Sequence, residues 1–192
     1  MKIQINNLCK KYGKKVIFDN FSASVDFDGI LMVKGKSGLG KTTLIKMLAG
    51  LEKPNSGEIS VPAERISFMF QEDRLIPFVS VLKNLTAVCD EEKALKYLSL
   101  MELEQEKDAS PLSLSGGMRR RVALARALCY DSELIILDEP FKGLDEALKI
   151  KIGEILKKES NARPIIIVSH ETDGADFCGA ETLDLDKLFI CQ

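Results

Sequence analysis

The chain has 192 residues, 45% hydrophobic and 29% charged, as expected for one globular domain with a buried core. Its 27 basic and 29 acidic residues give a net charge of -2, which argues against the basic surface of a nucleic-acid-binding protein. The longest stretch without a charged side chain, residues 109–118, is too short for a membrane-spanning helix, and the five cysteines form no C-x-x-C pair, which excludes a disulfide scaffold and indicates reduced thiols.

Alternating polar and apolar residues near the start of the chain predict antiparallel strands. The alternation runs through Ile3–Val25 and returns in Gly57–Phe70. We expect residues 1–28 and 57–70 to form a small antiparallel β layer beside the main core.

Three short apolar runs predict strands that are buried on both faces of a parallel sheet, because they are rich in branched residues and do not alternate. These runs are Gly29–Val33, Leu134–Leu137 and Ile165–Val168. Helical periodicity follows in Thr42–Leu51, Met118–Tyr130 and Glu146–Lys158. Strands that alternate with helices indicate an α/β fold.

Two further segments lie outside this alternation, although we expect residues 1–192 to form a single domain. Residues 76–125 are predicted to be a helical insertion, with helices at Val81–Val88 and Glu91–Leu103. The tail, Thr182–Cys191, is predicted to form a short hairpin.

The segment that joins the first apolar run to the first helix matches G-x-x-x-x-G-K-[ST], a phosphate-binding pattern. Its glycines let successive N–H groups surround a phosphate, and the helix N-terminus adds a favourable dipole. Lys41 is expected to contact the β- and γ-phosphates, and the Thr42 hydroxyl to ligate Mg²⁺. The predicted nucleotide-binding residues of this segment are Gly35, Lys36, Ser37, Gly38, Leu39, Gly40, Lys41, Thr42 and Thr43.

Two adjacent acids, Asp138 and Glu139, end the second apolar run. Side chains alternate along a strand, so we expect the two carboxylates to point in different directions. One of them could then reach the Mg²⁺ shell, while the other would face the γ-phosphate and polarise an attacking water. Taken alone, the pair is equally consistent with a solvated strand end.

Residues 114–121 read Leu-Ser-Gly-Gly-Met-Arg-Arg-Arg, so a second helix begins with an anion-binding N-terminus. With these residues the chain resembles the nucleotide-binding subunits of ABC (ATP-binding cassette) transporters, from Leu8 to about Leu188. The resemblance implies a P-loop NTPase (RecA-like) parallel sheet with a small antiparallel layer and a helical insertion. It also implies ATP and Mg²⁺ as ligands.

The same resemblance assigns roles to individual residues. Tyr12 would stack on adenine with Val16 against the same base, although Tyr12 alone is also consistent with a packed turn. The implied catalytic residues are Glu139, His170, Gln71 and Lys41. The implied Mg²⁺ ligands are Thr42, Gln71 and Asp138. The residues implied to bind the nucleotide from a second subunit are Ser115, Gly116 and Gly117.

Two departures from the family pattern stand out. Met118 and Arg120 stand where many relatives carry glutamine, and Lys142-Gly143 replaces a small pair in the segment that ends with the acid Asp145. The first departure leaves the helix N-terminus unchanged, whereas the second changes the segment that precedes Asp145.

The resemblance also implies partners and a location. ATP would be sandwiched in a homodimer, or in a pair with a second ATPase subunit, on the inner face of the cell membrane. The dimer would be cytoplasmic and peripheral, would dock on separate permease subunits, and would serve an extracytoplasmic substrate-binding protein indirectly, with no nucleic acid involved. The segment Gln71–Phe78 most resembles importers of the nitrate, sulfonate and taurine group.

Three alternatives remain open from the sequence. A soluble ABC ATPase unconnected with transport would share all the motifs, whereas a P-loop kinase or GTPase would have no use for residues 114–121. A degenerate cassette would bind ATP without hydrolysing it, but Lys41, Glu139 and His170 are all present.

Overall fold

The computed structural model describes residues 1–169 and 179–186, and a five-stranded parallel sheet forms the centre of that part of the chain. The strands are β3 (Ile30–Lys34), β5 (Ile66–Met69), β6 (Leu134–Asp138), β7 (Ile165–Val168) and β8 (Glu181–Asp184). Their order is β5-β6-β7-β3-β8, and every neighbouring pair is parallel. The carboxyl ends of these strands therefore meet at one edge of the sheet.

The three apolar runs predicted as strands are β3, β6 and β7, and every residue of β6 and β7 is buried. Alternate residues of β6 enter two different cores. Ile135 and Leu137 face the core that contains most of the helices, whereas Leu134 and Ile136 face the core shared with the antiparallel sheet. Burial on both faces explains why these strands show no polar alternation.

A second, antiparallel sheet covers one side of the molecule. It consists of β1 (Lys2–Tyr12), β2 (Lys15–Asp26) and β4 (Ser56–Ser60), in the order β2-β1-β4. Residues 1–28 thus form the antiparallel layer as predicted, with the turn at Gly13.

The second half of the predicted layer is corrected by the structure. Residues 57–70 contain β4, which does join the antiparallel sheet, but β5 pairs in parallel with β6 at the edge of the main sheet. In β5, the polar residue that produces the polar-apolar alternation of the sequence is Ser67. This residue is buried, and its hydroxyl donates a hydrogen bond of 2.7 Å to the carbonyl of Ala127. A buried hydroxyl satisfied in this way looks like an exposed polar position in sequence.

Five α-helices complete the described part of the chain. They are α1 (Lys41–Leu48), α2 (Val81–Thr86), α3 (Glu91–Leu100), α4 (Gly116–Cys129) and α5 (Glu146–Ser160). The N-caps of α2, α3, α4 and α5 are Ser80, Asp90, Ser115 and Asp145, and each accepts a hydrogen bond from a first-turn amide. The predicted insertion, residues 76–125, contains α2, α3 and most of α4.

None of the helices described for residues 1–169 and 179–186 has the length and apolar character needed to span a membrane.

The predicted tail hairpin is also corrected in part. Its first residues belong to β8, which pairs in parallel with β3. Residues 187–192, the expected second arm, lie outside the described residues. β8 is half exposed at the sheet edge, so its polar residues gave no sign of a core strand.

Candidate active site

A glycine-rich loop connects β3 to α1 and lies against the antiparallel sheet. Gly38 and Gly40 have φ angles of 85° and 90°, in the left-handed region that favours glycine. A Cβ atom on Gly40 would lie 2.4 Å from Cγ2 of Ile17 and 3.1 Å from Cζ of Phe18. Both the backbone conformation and the close approach to β2 therefore require glycine at position 40.

The N-terminus of α1 lies at the end of this loop. Its N-cap is Gly40, which provides no side-chain cap, and the first turn contains no acidic residue. The N–H groups and dipole at such an end favour an anion. The start of α1 is therefore suited to bind a phosphate.

The side chain of Lys41 is only 4% exposed and folds back along the loop. Its Nζ donates hydrogen bonds to the carbonyls of Gly35 at 2.5 Å and Lys36 at 2.9 Å. Burial lowers the pKa of Lys41, and the carboxylates of Glu139 and Asp138 are among the groups that oppose this shift. The lysine therefore lies within electrostatic reach of both strand-end acids.

A cavity of about 390 Å³ lies beside the loop and brings together residues from four separate segments. Its size falls within the usual range of small-molecule sites. Its lining residues are Tyr12, Lys15, Ile17, Ser37, Gly38, Gly40, Lys41, Thr42, Thr43 and Gln71. Most of the predicted loop residues therefore share one cavity with Tyr12 and Gln71, whereas Gly35, Lys36 and Leu39 do not line it.

The structure does not bring Val16 into this cavity. Side chains alternate along β2, so Lys15 and Ile17 face the cavity while Val16 faces away and is 58% exposed. The contact of Val16 with the base stays a prediction. Lys15 and Ile17 were not predicted as lining residues, because the sequence does not fix the register of β2 relative to the loop.

Tyr12 stands at the mouth of the cavity and is held there by two charged residues. Its hydroxyl donates a hydrogen bond to Glu52, which forms an ion pair of 2.8 Å with Lys10. The Nζ atom of Lys10 also lies 5.0 Å from the centroid of the tyrosine ring. Burial and the contact with Glu52 raise the pKa of Tyr12. With 47% of its surface exposed, the held ring offers a platform for a planar ligand.

The two strand-end acids lie at the carboxyl end of β6. Asp138 is 1% exposed and Glu139 is 8% exposed. Glu139 has a φ angle of 56°, so the strand ends there, and its amide donates to the carbonyl of Val168 at 2.8 Å. The pair is therefore not a solvated strand end. Because β6 ends at Asp138 and Glu139 lies in the left-handed region, simple strand alternation does not describe the side chain of Glu139.

The N-terminus of α4 lies apart from the cavity. Ser115 and Gly116 are exposed, and Ser115 caps α4 by accepting a hydrogen bond of 3.2 Å from the amide of Met118. Neither these residues nor Gly117 line the cavity beside the phosphate loop. Within one copy of the chain, the two anion-binding helix ends are thus separate.

The segment between β6 and α5 lies next to this helix end. A Cβ atom on Gly117 would lie 3.4 Å from the carbonyl oxygen of Gly143. Asp145 caps α5 by accepting a hydrogen bond of 3.0 Å from the amide of Leu148. His170 follows the buried Ser169 but lies outside the described residues, so its role stays a prediction.

An apolar surface follows Gln71 along the chain. Phe78 is 91% exposed and Ile76 is 46% exposed. The loop that carries them is fixed by the buried side chain of Asn84, which accepts from the amide of Ile76 at 2.8 Å and donates to its carbonyl at 3.1 Å. This exposure is therefore part of an ordered surface.

Comparison with known proteins relates these features to named relatives. The family model described as "ABC transporter" matches residues 18–142. The aliphatic sulfonates import ATP-binding protein SsuB 1 of Mesorhizobium japonicum is 38% identical over 84% of this chain and 67% of its own length. A protein of the same name from Nocardia farcinica is 34% identical over 96% of this chain and 78% of its own length.

Solved structures agree with the fold. The dimeric structure of MJ0796, a bacterial ABC transporter cassette, has a TM-score of 0.85 at 27% identity, and covers 95% of this chain and 94% of the other. The dimeric post-hydrolysis state of MJ0796 bound to ADP and phosphate has a TM-score of 0.82 at 27% identity, with coverage of 91% and 90%. The predicted α/β P-loop architecture is therefore confirmed.

Proposed function

Since this chain belongs to the ABC transporter family, we propose that it is the ATP-hydrolysing subunit of an importer that acts on a separate membrane permease. The observation that carries the proposal is the single cavity that combines a phosphate loop, an aromatic platform and Gln71, with buried acids near Lys41. The import ATP-binding proteins among the relatives support the transport role.

The cavity suits a nucleoside triphosphate as substrate. The glycine-rich loop and the start of α1 would bind the phosphates through backbone N–H groups, and Lys41 would exchange its carbonyl contacts for phosphate oxygens. Tyr12 would stack on the base, because its ring is held in place but remains open on the cavity side.

The donor set also fits Mg²⁺, which prefers oxygen ligands and keeps phosphate oxygens in its shell. Thr42, Gln71 and Asp138 offer a hydroxyl, an amide and a carboxylate oxygen. Across residues 1–169 and 179–186, no group of three or more His, Cys, Asp or Glu side chains is placed to hold a metal without such help. When bound, Mg²⁺ would neutralise phosphate charge and polarise the terminal phosphate.

Glu139 is the proposed general base. It would accept a proton from a water whose oxygen attacks the terminal phosphorus, while the bond between that phosphorus and the bridging oxygen of ADP breaks. Gln71, which lines the cavity, would orient this water, and His170 would contact the terminal phosphate. The buried position of Glu139 keeps its carboxylate away from bulk solvent.

A second subunit would complete each site. Ser115 and Gly116 are exposed, Gly117 is half-buried, and all three lie outside the cavity of their own chain, so they are available to a nucleotide held by a partner. In a twofold symmetric dimer each phosphate loop faces the helix end of the other copy, which gives two sites. The dimeric cassettes among the solved structures support this arrangement, as a homodimer or with a related ATPase subunit.

The exposed apolar surface around Phe78 and Ile76 is the proposed contact with the permease. Exposed apolar patches of this kind mark binding surfaces. The chain would then be peripheral on the cytoplasmic face of the membrane and would serve an extracytoplasmic substrate-binding protein only through the permease. A soluble ABC ATPase is the alternative, and this surface argues against it.

The proposal is tested with purified protein and with membranes. We expect Mg²⁺-dependent release of phosphate from ATP, and co-purification of the tagged chain with an integral membrane protein from the source cells. Phe78→Asp should abolish co-purification of the membrane protein and leave ATP hydrolysis by the free chain unchanged. Hydrolysis with no membrane partner in either sample would favour the soluble alternative.

The aromatic platform gives a second expected result. Tyr12→Ala should raise the dissociation constant for ATP about tenfold, because stacking on an aromatic ring contributes roughly 1–3 kcal/mol per base. Tyr12→Phe keeps the ring and should stay close to wild type, although it loses the hydrogen bond to Glu52. Fluorescent nucleotide titration measures both values.

Tyr130→Ala is the matched control for this experiment, since Tyr130 lines a different cavity. Equal losses of affinity in Tyr12→Ala and Tyr130→Ala would contradict the assignment of the platform.

A further inference from the structure

Arg120 is a buried cation in the second turn of α4, only 4% exposed. A guanidinium in the interior is stable only when its N–H groups have partners. All three of its nitrogen atoms donate hydrogen bonds, five to backbone carbonyls and one to a carboxylate. This arginine therefore links α4 by hydrogen bonds to the segments that follow β5 and β6.

The carbonyls bound by Arg120 belong to the two segments that carry the proposed water-handling residues. Nη1 donates to Phe70 at 3.0 Å and to Gln71 at 2.9 Å, after β5. Nε donates to Glu139 at 3.1 Å, and Nη2 donates to Asp138 and Glu139 at the end of β6. One planar, rigid group thus spans the ends of two neighbouring parallel strands.

The hydrogen bond from Arg120 to Glu139 stabilises an unfavourable backbone conformation of Glu139. A φ angle of 56° is unfavourable for a residue with a side chain, and such angles persist where surrounding contacts determine them. The carbonyl of Glu139 accepts from Arg120, and its amide donates to Val168. The direction of the Glu139 side chain therefore depends partly on Arg120.

The loop after Gln71 is fastened to α4 in a similar way. Asp73 is the counter-charge of Arg120, at 3.1 Å, and its carbonyl accepts from Nη2 of Arg126 at 3.2 Å. Two arginines on one helix therefore hold the loop in which Gln71 lies. A movement of α4 relative to the sheet would be passed to this loop through rigid hydrogen-bonded groups.

We infer that Arg120 is a positioning residue for ATP hydrolysis, which sets Gln71 and Glu139 relative to the phosphate loop without touching the nucleotide. This inference rests on the proposed function. Because Ser115 caps the same helix, Arg120 also connects the contact with the partner's nucleotide to the chemistry at the chain's own site. The glutamine that many relatives carry here has two donors, so it cannot make all six hydrogen bonds of the arginine.

The test compares Arg120→Gln with Arg163→Gln, a matched control. Arg163 also donates to backbone carbonyls, those of Tyr130 and Leu128, and to Glu159, but none of these groups lines the nucleotide cavity. Both variants remove a largely buried guanidinium, from α4 in one case and from the segment between α5 and β7 in the other. Only the Arg120 variant frees the segments of Gln71 and Glu139.

Thermal unfolding, ATP affinity by fluorescent nucleotide titration, and kcat and KM for phosphate release are measured for each variant. Arg120→Gln should lower kcat tenfold to about a hundredfold, the effect of small displacements of catalytic groups, with ATP affinity unchanged. Arg163→Gln should lower the melting temperature and leave kcat per folded molecule at the wild-type value. Arg120→Lys, which keeps the charge but fewer donors, should give an intermediate kcat and serves if the glutamine variant does not fold.

A wild-type kcat in the Arg120 variants, or an equal fall of kcat in Arg163→Gln, would overturn the role of Arg120. A fall in ATP affinity as large as the fall in kcat would also overturn it. The proposed function fails separately, through a wild-type chain that releases no phosphate from ATP in the presence of Mg²⁺.

Discussion

Replacing Glu139 with glutamine is expected to lower kcat for ATP hydrolysis roughly a thousandfold, within the range that general bases contribute. The amide keeps the shape of the carboxylate but cannot accept the proton of the attacking water. ATP binding should remain, because the loop and Tyr12 are unaltered and Glu139 does not line the cavity. The variant should therefore accumulate as an ATP-bound dimer, which size-exclusion chromatography with light scattering detects.

Glu154→Gln is the control for this experiment, since Glu154 is exposed on α5. It should hydrolyse ATP like wild type. Normal turnover by Glu139→Gln would contradict the assignment of Glu139 as the general base.

The second large effect is expected from Ser115→Arg, which should abolish hydrolysis without weakening ATP binding to a single chain. The substitution removes the N-cap of α4 and puts a long side chain at the surface that would close over a partner's nucleotide. Ser115 lies outside its own cavity, so titration of dilute protein with a fluorescent nucleotide should give the wild-type affinity.

The decisive measurement uses the double variant Ser115→Arg/Glu139→Gln. We expect it to bind ATP and remain monomeric, whereas Glu139→Gln alone dimerises. Ser99→Arg, an equivalent change at an exposed position on α3, should leave dimerisation of the Glu139→Gln form intact. A double variant that dimerises as readily as the single one would refute the role of the α4 helix end.

The parts of the fold that the sequence predicted well are those whose pattern is local. β3, β6 and β7 are uninterrupted apolar runs, and such short runs are typical of strands that are buried on both faces of a sheet. β5 was assigned to the wrong sheet because its partner is chosen by contacts far away in the sequence. The buried hydroxyl of Ser67 strengthened the misleading alternation.

The candidate site shows the same division. The phosphate loop is one continuous segment, so its residues were predicted together. Glu52 supports Tyr12 from a position 40 residues away, and Arg120 reaches loops 47 to 50 residues before it, so neither contact has a local signal. Lys15 and Ile17 were not predicted to line the cavity, because a period of two leaves undetermined which face of a strand meets the loop.

The close packing of Gly40 against β2 has a consequence for how the chain tells ATP from ADP. The cavity is lined by Tyr12 and Lys15, at the tip of the β1–β2 hairpin, and by the phosphate loop, which packs against that hairpin. The base and the inner phosphates would therefore contact a single packed unit. Both nucleotides present identical groups to that unit. A single chain would therefore bind ATP and ADP with similar affinity. A preference for ATP would arise only when a second copy closes over the phosphate that ADP lacks.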